Sequence, residues 1–203
     1  MTRASLLTGS RPASIASVAI IGIVSRVAGY SSDGALVWQR DALAAGEWWR
    51  LFSAHAVHLS STHLLMNLLG LLLLSELLCD ELSAAEWSSL LLMCALGISL
   101  LLWFLQPQLQ WYAGLSGVLY GLWAGAAGLR CVVAKKPIHW LALMALMVRL
   151  ASGSASIADI PVVAEAHWYG AACGLLWVAM YVSLRSVIQL AMKPPHQKFS
   201  VFD

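Results

Sequence analysis

Charged residues are scarce in this sequence. Only 11% of its 203 residues are Asp, Glu, Lys or Arg, where a soluble globular chain carries about 25%. Too few polar groups remain to cover a folded surface in water, so lipid must cover it. The net charge is only +2, and the basic residues are scattered rather than striped. That excludes the electrostatic footprint of a nucleic-acid partner. Disulfide and zinc frameworks are missing too. Cys79, Cys94, Cys131 and Cys173 lie in or at the ends of apolar runs without paired spacing, and read as small hydrophobes. His55, His58 and His63 do not share one clean helix face, and no carboxylate or cysteine joins them, so no metal and no other cofactor is expected. The apolar run after Arg11 has no small-x-small cleavage site behind it, and reads as a retained span rather than a signal peptide.

What is present is apolar. The composition is 60% hydrophobic with a mean hydropathy of +0.77 and ten tryptophans, the last suited to anchoring at a membrane interface. Apolar runs at about 13–29, 58–79, 87–105, 114–133, 138–155 and 162–190 predict an all-α, polytopic bundle of six transmembrane helices, forming one domain over 1–203. The fifth run is short, broken from the fourth at Lys135-Lys136-Pro137. Six spans put both termini on one side. That side then holds Arg3, Arg11, Arg130, Lys135, Lys136, Arg185, Lys193 and Lys198, and the opposite side only Arg40 and Arg50, with Arg26 and Arg149 inside spans. The bias places both termini in the cytoplasm.

Polar residues inside such spans are expensive and therefore informative. In Gly114-Leu115-Ser116-Gly117 a serine enters the head of the fourth run between glycines. A lone serine there bonds back to its own helix; glycines on both sides strip bulk from around the hydroxyl and point to a nucleophile. With the termini inside, the second, fourth and sixth runs all enter from outside. His63 and Asn67, Ser116, and His167 then converge at one depth. His63 and Asn67 are four apart and share a helix face. Gly117, Gly121 and Gly125 recur every four residues, as do Gly170 and Gly174, with His167 on the latter stripe. Such stripes let helices approach closely, so the fourth and sixth runs should touch with Ser116 against His167. Tyr120, one turn below Ser116, is placed to support the imidazole. A transporter would instead string ionisable residues through the midplane.

These motifs carry a family resemblance. Glu47-x-Trp49-Arg50, His58-x4-His63-x3-Asn67, Gly114-Leu115-Ser116-Gly117 with Tyr120, and Ala166-His167-x-x-Gly170-x3-Gly174 stand in the order found in rhomboid intramembrane serine proteases. Ala113 stands where many members have another glycine. The run Glu165-Ala166-His167-Trp168-Tyr169-Gly170 looks like the rhombosortase-type subgroup, which is associated with bacterial surface or secreted proteins bearing a C-terminal Gly-Gly and a terminal anchor helix. The resemblance implies a serine endopeptidase in the bacterial inner membrane, with its site toward the periplasm and transmembrane proteins as substrates. It implies Ser116 and His167 as the catalytic dyad. His63 and Asn67 are then candidate oxyanion donors, with Tyr120, Gly114, Gly117 and His58 supporting the site. The main alternative is a rhomboid-like protein without catalysis that binds transmembrane helices.

Overall fold

The structure is a computed structural model that describes residues 10–28, 34–78, 82–133, 135, 137–153 and 162–191. Helix α1 (Ser10–Ala28) leads to strand β1 (Trp38–Gln39) and two short helices, α2 (Arg40–Ala44) and α3 (Arg50–Ser53). A 3-10 turn at Ala54–Ala56 precedes α4 (Ser61–Leu78) and α5 (Ala84–Leu105). Strand β2 (Trp111–Tyr112) then introduces α6 (Ser116–Val133), α7 (Pro137–Ala151) and α8 (Ala164–Ala191). The two strands pair antiparallel, Trp38 opposite Tyr112 and Gln39 opposite Trp111. Among the described residues the fold is all-α apart from this ribbon.

Local chemistry sets the helix ends. At α5, the Ser83 hydroxyl accepts from the Glu86 N–H while the Glu86 carboxylate accepts from the Ser83 N–H, a reciprocal cap. Ser60 Oγ accepts from the His63 N–H at 3.1 Å and caps α4. Pro137 opens α7, where its missing N–H costs nothing. The second apolar run therefore differs from expectation. Its helix starts at Ser61, not His58, because Val57 is extended and Ser60 takes the cap. The segment Arg50–Ala56 meets α4 at 96°. The other helices lie within a few residues of the expected runs. Gly29, Cys79 and residues 154–155 of those runs lie outside the described residues.

Among the described residues three helices are long and apolar enough to cross a membrane: α5, α6 and the Ala164–Gln189 part of α8. The bent pair ending in α4 makes a fourth if taken as one span. Helix α7, with 15 residues, reaches about 22 Å at 1.5 Å per residue, short of a hydrocarbon core of about 30 Å. Large apolar side chains stand exposed on the outer faces, among them Leu69 and Leu73 on α4, Met144 and Val148 on α7, and Met180 and Val187 on α8. Patches of this extent are foreign to a water-facing surface and suit lipid.

Helix α6 is the centre. It packs against α4, α5, α7 and α8, and 61% of its apolar window is buried, against 33% for α5 and 28% for α8. Glycine and alanine make it thin enough to be surrounded. At the end of the bundle opposite Ser116, the Trp87 indole donates to Ser17 Oγ (3.3 Å), Trp177 to Ser89 Oγ (3.0 Å), and Arg185 pairs with Glu86 (3.0 Å). These contacts tie α1, α5 and α8 together without touching the site.

Candidate active site

The loop ahead of α6 is built to present a serine. Arg40 donates to the carbonyls of Leu102, Trp103, Gln106 and Leu109 at 2.9–3.3 Å, tying the end of α5 to the loop that follows it. Its guanidinium also lies over the Trp38 and Trp103 rings. Arg50 is buried and holds the neighbouring loop, pairing with Glu47 at 2.7 Å and donating to the Gly34 and Val37 carbonyls. The Tyr112 hydroxyl donates to the Gly114 carbonyl (2.9 Å) and accepts from the Gly117 N–H, closing the turn that carries Ser116. The Gly114 N–H donates to the Ala54 carbonyl at 3.0 Å. Gly114 has φ +128, and a β-carbon there would lie 2.9 Å from the His63 ring. Backbone conformation and space both demand glycine.

The seam between α6 and α8 then fixes the partner of Ser116. A β-carbon on Gly117 would lie 2.8 Å from the Ala166 carbonyl, and one on Gly121 2.8 Å from the Gly170 carbonyl. On the facing helix, a β-carbon at Gly170 or Gly174 would collide with the Gly117 or Gly121 carbonyl. The two backbones thus touch, in a register that pairs Gly117 with Ala166 and Gly170. Ser116 adjoins Gly117 and His167 adjoins Ala166, so the register brings both to the head of the seam. Ser116 Oγ lies 3.0 Å from His167 Nε2. His167 is buried, and Tyr120 stacks on its imidazole with centroids 4.3 Å apart and planes 20° apart.

The third wall comes from α4. His63 lies against Gly114, and its ring meets that of His58 edge-on at 5.0 Å. His58 does not sit on α4 but in the turn before it. The Ser25 hydroxyl donates to the Ala56 carbonyl, so His58 Nδ1–H donates to Ser25 Oγ, at 2.8 Å. By the same argument Ser99, which donates to the Leu51 carbonyl at 2.7 Å, accepts from His55 Nε2–H at 3.0 Å. His55 in turn meets the Tyr112 ring edge-on. His55 thus supports the loop. His58 Nε2, His63 Nδ1 and Asn67 Nδ2 are buried without a hydrogen-bond partner among the described residues. Glu165 is exposed at the start of α8, and Asp159 lies outside the described residues.

Sequence reasoning passed over Tyr112, Arg40 and Ser25. Tyr112 carried a weak signal, two residues before the glycine it clamps. Arg40 and Ser25 act on partners more than thirty positions away and carried none.

Fold and site define a polytopic helical membrane protein with a serine and an imidazole in contact at one end of its central seam. Residues 45–184 match the Rhomboid domain. With more than half of its length matched, the chain belongs to the rhomboid family, whose members are generally intramembrane serine proteases. No curated protein matches it in sequence.

Proposed function

We propose that the protein is an intramembrane serine endopeptidase that cleaves transmembrane segments of other membrane proteins. The contact between Ser116 Oγ and His167 Nε2 at 3.0 Å carries the reading. A serine hydroxyl is a weak nucleophile until a base takes its proton. In this mechanism Ser116 Oγ attacks the scissile carbonyl carbon and its proton passes to neutral His167 Nε2. The tetrahedral intermediate collapses as His167 returns that proton to the leaving amine. Water then attacks the acyl-enzyme by the same route and frees Ser116.

The developing oxyanion needs donors. The Ser116 N–H stands in the first turn of α6, where backbone donors lack intrahelical partners and the helix dipole favours negative charge. Asn67 offers a buried amide nitrogen with no hydrogen-bond partner among the described residues, and His63 lies against the same turn. In this reading Asn67 and His63 complete the oxyanion site, Tyr120 orients the imidazole, and His58 steadies His63.

The basic-residue bias supports a reading with six spans, both termini in the cytoplasm and the site toward the periplasm. Helix α7, which ends at Ala151, then sits where the bilayer thins. The run Glu165 to Gly170 supports membership of the rhombosortase-type subgroup, and with it substrates anchored by a C-terminal helix after Gly-Gly. Such a pair favours local unwinding, which exposes a scissile carbonyl.

Purified protein treated with a fluorophosphonate probe tests the nucleophile. Wild-type protein is expected to label and to cleave a Gly-Gly-anchored transmembrane substrate, and Ser116→Ala to do neither. Equal labelling of both proteins would remove Ser116 from the role.

A further inference from the structure

The support of His167 does not end at Tyr120. Arg149, in the last turn of α7, holds its guanidinium carbon 5.9 Å from the Tyr120 ring centroid. Tyr120 stacks on His167, and His167 meets Ser116. Four side chains from three helices thus form one file that ends at the nucleophile.

The guanidinium is itself held. Its Nη1 donates to the Gly153 carbonyl at 2.7 Å. Gly153 takes φ +74, and the turn closes through Ser152 N–H to Val148 O (2.9 Å) and Gly153 N–H to Leu150 O (3.3 Å). Neither ion pair found among the described residues, Glu47–Arg50 or Glu86–Arg185, involves Arg149. An arginine at a lipid-facing helix end ordinarily stretches its head toward the interface. This one, exposed near the end of α7 and held by the Gly153 carbonyl, keeps its guanidinium over an aromatic face beside the candidate base.

We propose that Arg149 is a positioning residue: from α7 it holds the Tyr120 ring in the plane that keeps the His167 imidazole aimed at Ser116. A cation attracts the negative face of an aromatic ring, more strongly where water is excluded. Among the described residues the other ring beside Tyr120 is Trp123, at 6.4 Å and on α6 itself, so Arg149, with the leucines of α7, supplies a restraint from outside α6. It also links α7 to the site. The expected kinetic effect rests on the protease reading; the geometric effect does not.

The test uses full-length protein with Arg149→Met, which keeps the reach and removes the charge, and Arg149→Lys, which keeps a cation. Arg149→Met is expected to lower kcat about five- to tenfold, with KM within about twofold of wild type. Fluorophosphonate acylation should slow in parallel, and Arg149→Lys should recover at least about half of the lost rate. The His167 side-chain NMR signals, assigned with His167→Asn, should shift in the Met variant as the Tyr120 ring current moves. Unmoved His167 signals overturn the proposal, whatever happens to the rate. So does a raised KM at constant kcat, which would place Arg149 on the substrate, or a Lys variant as slow as the Met variant. Should the wild-type protein cleave nothing, the protease reading fails, and the His167 signals still decide the role of Arg149.

Discussion

Helix α6 meets two of its neighbours in opposite ways. Against α8 it offers Gly117, Gly121 and Gly125, and backbone touches backbone along Gly170 and Gly174. Against α7 it offers Tyr120, Trp123 and Ala124, which meet the side chains of Leu143, Leu146 and Leu150. The first contact has one register, because any slide drives a carbonyl into the facing helix. The second is made of side chains that lipid replaces at little cost, since lipid tails are as apolar as leucine. Only Leu146 and Leu150 of α7 are buried, while Leu141, Met144, Met147 and Val148 lie exposed. The candidate nucleophile and base ride on the contact that cannot shift, and the wall beside them is the contact that can.

Gly170→Val is expected to break this difference most severely. Its side chain must displace the Gly117 carbonyl, so α6 and α8 part at the level of Ser116 and His167. A misplacement of about 1 Å costs about 10²-fold in rate, and losing the hydrogen bond as well should take cleavage down beyond about 10³-fold. The unfolding temperature should fall with it; cleavage assays beside a thermal melt provide the measure. Asn67→Ala should produce the next largest effect while leaving both helix contacts intact. Removing an oxyanion donor costs about 2.7–4 kcal/mol of transition-state stabilisation, about 10²- to 10³-fold. Because Asn67 Nδ2 has no hydrogen-bond partner among the described residues, the melt should barely move. A rate within a factor of about two of wild type would take Asn67 out of the oxyanion site.

The rigid contact was legible in the sequence for a geometric reason. Glycines four apart stay on one helix face, and residues next to those glycines must follow them to the same end. The proximity of Ser116 to His167 and the place of Tyr120 rest on that periodicity, and the positions of the six apolar helices rest on hydropathy. The start of α4 did not follow from hydropathy. The apolar run begins at His58, but the extended backbone of Val57 and the Ser60 cap delay the helix. The loop contacts were less legible still. Arg40 reaches residues 102–109, and His58 reaches Ser25 on α1. Such pairings depend on the folded arrangement of distant segments, which leaves no period to read. Arg149 appeared in the sequence only as a basic residue inside a short span; its place over Tyr120 goes with the bond it makes to the Gly153 carbonyl.

The smallest expected effect sharpens the comparison from its loose side. Leu146 is the most deeply buried residue of α7 and packs with Ala124 of α6 and Ala171 of α8. In a water-soluble core Leu→Ala costs about 2–5 kcal/mol, but much of that is transfer from water. Between helices in lipid only packing is lost, so Leu146→Ala should cost about 1 kcal/mol. The file from Arg149 to Ser116 starts near the end of α7, a turn beyond Leu146, so the small fluorophosphonate probe should label the variant at close to the wild-type rate. A transmembrane substrate has to arrive through the bilayer between helices, and this contact beside the site is made of side chains that lipid can replace. Loosening it should therefore leave the cleavage of such substrates unchanged or raise it about twofold, while Gly170→Val loses both activities. Equal losses of probe labelling and substrate cleavage in Leu146→Ala would mean that α7 is as much a part of the rigid frame as α8.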